Sequence, residues 1–159
     1  MIVVSDTSPI TNLMRIERIE LLRELYSTVI IPSGVYEEIG FIEDQKRRID
    51  RLNWIQVVSA TDVSLLDELL ERLDRGEAEA ITLARELNAE LLLIDETDGR
   101  AEARRLNIRI TDVLGILIRA KELGLISLVG PEIKKIVNDA EFWIDRQLIQ
   151  DVLVLVGEN

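Results

Sequence analysis

The chain contains no cysteine and no histidine. Without cysteine there is no disulfide, no thiolate nucleophile and no thiolate metal site. Without histidine, Ser-His and Cys-His catalytic pairs and imidazole zinc sites are excluded as well. Chemistry near neutral pH is left to carboxylates, hydroxyls, lysine, arginine, bound water or a metal ion. Aromatic residues make up only 4% of the chain, so the core must be Ile, Leu and Val, with Trp54 and Trp143 as rare large fillers. No apolar run approaches the ~20 residues of a membrane span. No basic start followed by a long apolar stretch marks a signal peptide. A cytoplasmic location, with no membrane contact, is therefore the default expectation.

Positive charge is also scarce: 19 Lys and Arg stand against 30 Asp and Glu, for a net charge of −11. That balance repels bulk polyanions and argues against a protein that coats nucleic acid electrostatically. It does not exclude an enzyme that meets a phosphodiester through bound cations.

What is present is a folded-chain composition, with 47% apolar and 31% charged residues over 159 positions. This is enough for one domain spanning residues 1–159. Short β-branched or Leu-rich runs predict strands at 2–5, 28–32, 55–60, 90–95 and 108–111. Helical stretches lie between them. Ser8 is a candidate N-cap for the first, with Pro9 in its first turn, and Ser33 a candidate cap for a helix in which Gly40 is a weak point. The segment 43–51 reads as a solvated helix end. Leu66, Leu69, Leu70 and Leu73 sit at helix spacing. A helical extension follows over about 131–156, although "VLVLVG" near its end also suits an edge strand. Alternating strands and helices imply an α/β fold, a central parallel sheet with helices on both faces.

Three predicted strands finish on an aspartate: Asp6, Asp95 and Asp112. In an open parallel sheet, ligands bind beyond the carboxyl ends of the strands. The strand ends are only a few spacings of ~5 Å apart. One reading is a carboxylate cluster at a single mouth. The other is that each Asp caps the helix that follows. Three of three favours the cluster, because Ser, Thr or Asn would cap equally well. Clustered carboxylates raise each other's pKa, and a hard divalent cation, Mg²⁺ or Mn²⁺, relieves the repulsion. Such a site suits metal-assisted phosphodiester hydrolysis better than acyl transfer. Two helical pairs add acids: Glu37 with Glu38, and Glu77 with Glu79. Helix geometry points the members of each pair about 100° or 200° apart, so one of each faces the mouth. A first-turn Glu is also explained by the helix dipole alone.

The segments "VVSDTS", "IIPSGVYEEI", "GEAEAITLA", "LLLIDETDGR" and "ITDVLGIL", in this order and spacing, resemble the PIN domain over residues 1 to about 125. They are most similar to small prokaryotic PIN-like proteins related to VapC-like toxins. The resemblance implies a three-layer α/β/α sandwich and a Mg²⁺- or Mn²⁺-dependent endoribonuclease acting on single-stranded RNA. It implies Asp6, Glu38, Glu77 and Asp95 as the catalytic acids, with Asp6, Asp95 and Asp98 toward the metal. Thr7 and Ser8 match the family's small hydroxyl positions beside the first acid. Asp112 is an added ligand or the cap of the next helix, with the cap favoured. Arg100 contacts a substrate phosphate or pairs with surplus acids, with pairing favoured. Family members are frequently homodimers, and the toxins are held by an antitoxin protein.

The third acid is Glu where the toxins more often carry Asp, which together with the negative charge leaves a second hypothesis. In it the chain is a catalytically inactive PIN-like module that binds metal or a protein. An aspartyl-phosphate phosphatase would need an Asp two residues after Asp6, where Ser8 stands.

Overall fold

The computed structural model describes residues 1–159. Its strands are β1 (Val3–Ser5), β2 (Val29–Ile31), β3 (Ile55–Val57), β4 (Leu91–Leu93) and β5 (Ile110–Thr111). They form one sheet in the order β3-β2-β1-β4-β5. Every neighbouring pair is parallel. The helices are α1 (Thr7–Arg15), α2 (Glu20–Tyr26), α3 (Ser33–Ile39), α4 (Glu43–Asp50), α5 (Val63–Leu70), α6 (Arg75–Glu86), α7 (Thr97–Arg105), α8 (Val113–Glu122), α9 (Gly130–Asn138) and α10 (Arg146–Leu155).

Side chains alternate across the strands, and this sorts the helices into two layers. Val3, Val29, Ile31 and Leu93 point into a core shared with buried residues of α1 to α4, α8, α9 and α10. Val4, Leu92 and Ile94 point the other way, into a core made with α5, α6 and α7. The chain is therefore a three-layer α/β/α sandwich with a central parallel sheet, as the resemblance implies. The layering follows from handedness. From β1 to β3 the chain steps outward in one direction, and from β4 to β5 in the other. Right-handed crossovers of opposite direction must lie on opposite faces of the sheet.

The strand order reverses between β1 and β4, which pair directly with Ser5 opposite Leu93. That reversal opens the crevice in which ligands bind a parallel sheet. Asp6 follows β1 immediately and Asp95 lies two residues beyond β4.

Several local expectations are corrected. Helix α1 begins at Thr7, so Asp6 and not Ser8 holds the N-cap position, and it makes no side-chain capping bond. Likewise Pro32 precedes α3, and Ser33 is its first residue instead of its cap. The long helix expected after β2 is two helices, broken at Gly40–Ile42, so residues 43–50 are an element of their own. Its Gln45 and Ile49 are buried. The tail is helix and not strand. Leu65, Leu69 and Leu73 fill the second core, so Leu69 and Leu73 of the leucine stripe are buried while Leu70 stays exposed. Trp54 is buried as expected, but Trp143 is 79% exposed and fills nothing.

Candidate active site

Asp6 is delivered by backbone pairing. Its N–H donates to the Leu93 carbonyl at 2.9 Å, which carries the sheet one residue past β1. Its side chain is almost fully buried. Burial pushes its pKa up to about 7, with the negative charges of Asp74, Glu38 and Asp95 adding to the rise and the Thr7 amide opposing it.

Asp95 sits beside it across the switch point. Its Oδ1 accepts the Val113 N–H at 2.8 Å, at the start of α8. Its Oδ2 is buried without a partner. Burial raises its pKa to about 7, against the pull of the Val113 amide and the Arg100 charge, and Asp112 and Glu96 raise it further.

The two helical pairs each split. Glu38 accepts a hydrogen bond from Thr7 Oγ1 at 2.8 Å, which ties it to the residue next to Asp6. Glu37 points away into an ion pair with Arg75. Glu77 is buried beside Asp6 and Asp74, and its Oε2 has no partner. Burial lifts its pKa to about 8, helped by a hydrogen bond and charge repulsion from Asp74 and by the charge of Asp6. Glu79, also buried, is fully engaged: it pairs with Arg75 and accepts the Gly34 N–H at 3.1 Å.

Two glycines make room for this arrangement. A Cβ at Gly76 would stand 2.8 Å from Glu38 Oε2 and 3.4 Å from Asp6 Oδ1. A Cβ at Gly99 would stand 2.7 Å from Glu77 Oε2. At either position a Cβ would push the facing carboxylate aside, so glycine lets α6 and α7 approach the acids without displacing them.

The remaining expected residues lie outside the acid group or serve it from behind. Asp112 caps α8, accepting the Gly115 N–H at 2.9 Å, and forms an ion pair with Arg100. Arg100 is thus occupied by an acid. Asp98 is exposed in the first turn of α7 and forms no hydrogen bond or ion pair. The Ser8 hydroxyl likewise makes no bond, while its carbonyl accepts the Thr11 hydroxyl.

Asp74 was missing from the sequence-based set. It caps α6 by accepting the Glu77 N–H at 2.9 Å, and its charge acts on both Asp6 and Glu77. The signal was available as Asp-x-x-Glu at the head of the "GEAEAI" helix, a capping-box spacing.

Asp6 and Glu77 are thus buried acids with no ion-pair partner, Asp95 is half-buried with its Oδ2 enclosed, and Glu77 and Asp95 each carry an oxygen with no partner. Such groups are costly unless an ion or proton satisfies them. The chemistry of this donor set fits a hard divalent cation. The set is not preassembled, since no three carboxylates lie close enough together to form a ready cation cage.

A parallel α/β/α sandwich with unpaired acids at its switch point defines a class of α/β domain that takes its ligand beyond the strand ends. The chain belongs to the PIN-domain family: a family model described as PIN domain matches residues 2–158. The match runs past residue 125, through α9 and α10. No curated protein matches the chain. PIN domains are generally nucleases that use divalent metals. None of the helices is long and apolar enough to cross a membrane.

Proposed function

We propose that the chain is a divalent-metal-dependent endoribonuclease that hydrolyses phosphodiester bonds of single-stranded RNA. The observation that carries this reading is the trio of acids without an ion-pair partner, Asp6, Glu77 and Asp95, at the switch point of the sheet. Mg²⁺ or Mn²⁺ would be held by Asp6 and Asp95, with Glu77 completing the set and Asp98 reaching in from the rim. When bound, such a cation supplies Lewis-acid polarisation and an activated water.

The chain's own residues do the positioning. The Val113 amide fixes Asp95 Oδ1 and leaves Oδ2 free to face charge. Thr7 fixes Glu38 Oε2, so Oε1 is the oxygen left to orient the attacking water and accept its proton. Asp74 holds the start of α6 and with it Glu77.

The test is cleavage of a single-stranded RNA panel with Mn²⁺ by the wild type and Asp95→Asn. The wild type should cut and the variant should lose a hundredfold or more, on the order expected for a metal ligand. Equal cutting by both would sink the assignment.

One observation favours a second reading. The net charge of −11, which disfavours a polyanion, suits a non-catalytic module that binds metal or a protein. An antitoxin covering the mouth, or a second copy of the chain, would be that protein. The exposed Leu148, Val154 and Leu155 of α10 offer an apolar face for a homodimer. Wild-type protein that never cuts RNA, yet binds a protein tightly over the mouth, would favour this reading.

A further inference from the structure

A cavity of about 550 Å³ opens directly beside the acid site, with Asp95 as a shared wall. Its far wall is the segment 139–145 between α9 and α10, which carries the exposed Trp143. We propose that this cavity is a nucleotide subsite: Trp143 stacks on a base flanking the scissile bond and Arg104 contacts the adjoining phosphate. The proposal rests on the ribonuclease reading for the identity of its ligand.

Three observations support it. First, Trp143 is held out in solvent by a built segment. Arg15 Nη1 donates to the Ala140 carbonyl at 3.2 Å. The Phe142 N–H donates to the Ile136 carbonyl at 3.2 Å, and the Phe142 side chain packs on the main core. Exposing an indole costs hydrophobic free energy that the fold does not recover. Second, Arg104 lines the same cavity and forms no ion pair or hydrogen bond, although the chain has a surplus of acids to pair with. Its neighbour Arg100 is already taken by Asp112. Third, the cavity is continuous with the chemistry through Asp95, and its volume is in the range of small-molecule and nucleotide sites.

Charge decides which contact dominates. Asp95, Glu96, Asp112 and Asp145 also line the cavity, so its overall field does not attract a polyanion. Stacking on a π-face is indifferent to that field and tolerant of base identity. Trp143 therefore supplies most of the hold, and Arg104 one local phosphate contact. This gives an acidic protein a way to grip RNA without a basic surface.

The test uses labelled oligo(U) and oligo(A) eight-mers and a matched RNA duplex, bound to the intact chain in EDTA so that nothing is cut. Both residues are exposed, so their replacement leaves the fold intact. Trp143→Ala should weaken single-strand binding about tenfold, and Trp143→Phe should restore most of it. Arg104→Ala should weaken binding about threefold and lower the salt dependence by roughly one phosphate contact. Single strands, but not the duplex, should quench the Trp143 emission that is missing in Trp143→Phe. With Mn²⁺, Trp143→Ala should raise KM and leave kcat near wild type. Unchanged binding in Trp143→Ala, or quenching by a protein partner alone, overturns the subsite. Trp143-dependent binding without cleavage by wild type would leave the subsite standing and sink the ribonuclease reading. Cleavage with a KM indifferent to Trp143 would do the reverse.

Discussion

Two groups of carboxylates stand within a few residues of each other and have opposite fates. In the mouth, Asp6 and Glu77 are buried and Asp95 half-buried, none of them forms an ion pair, and their pKa values are raised to between about 7 and about 8. On the rim, Glu37, Glu79 and Asp112 are each matched by an arginine, Arg75 for the first two and Arg100 for the third. The contrast is sharpest between Glu77 and Glu79, two residues apart on one helix and equally buried. One keeps an oxygen without a partner, and the other is satisfied at both oxygens. Burial alone therefore does not mark a functional acid. Burial left uncompensated, in a protein with arginines to spare for the neighbours, does.

The largest expected effect comes from exchanging the two. Glu77→Gln should cost a hundredfold or more in Mn²⁺-dependent cleavage while leaving or raising the unfolding midpoint, because it removes a disfavoured charge. Glu79→Gln should leave cleavage within about threefold and lower the midpoint by about 2–4 °C, through the lost ion pair. Equal effects of the two on activity would break the distinction.

Gly76→Ala is next. The added methyl meets the Glu38 carboxylate, the flexible end of a side chain, so the fold survives and the acid is displaced. Cleavage should fall by about tenfold or more with the midpoint within a few degrees of wild type.

A smaller effect separates the groups by pH. The three mouth acids have folded pKa values above their unfolded ones, so the folded state holds protons that the unfolded state releases. Their contribution to stability is lost as pH rises, from above about 4 until the folded values near 7 and 8 are passed. Arginine-paired acids away from the mouth, such as Glu102, held low by Arg72 and then Arg105, act in the opposite direction but only below about pH 5. In EDTA the midpoint should therefore decline between pH 5.5 and 8, and the decline should shrink in Asp6→Asn. A flat midpoint across that window would contradict the raised values.

Much of this layout was readable before any coordinates. Strand alternation separates Val3 from Val4 and Leu92 from Leu93, and that fixes the two layers. The aspartates after β1 and β4 meet because a parallel sheet must reverse its order somewhere. Other features depended on contacts that are distant in sequence. Asp112 looks like Asp95 until Arg100 is placed beside it. Asp74 was not singled out, because it follows a leucine-rich helical stretch and capping and electrostatic roles share one residue type. Trp143 was assigned to the core on size alone. No local pattern says that a segment tied down at Ala140 and Phe142 turns the next side chain outward. The helix breaks near Glu17, which has φ of 60°, and after Gly40 were likewise tertiary choices that helical periodicity passes over.

The central claim is that the mouth is strained in order to hold a divalent cation. Thermal unfolding with and without Mn²⁺ at pH 7.5 tests it most directly, since a ligand of the folded state raises the midpoint by mass action. The account predicts a concentration-dependent rise in the wild type and in Glu79→Gln, and its loss in Asp6→Asn. No rise in the wild type, or the same rise in Asp6→Asn, would contradict it.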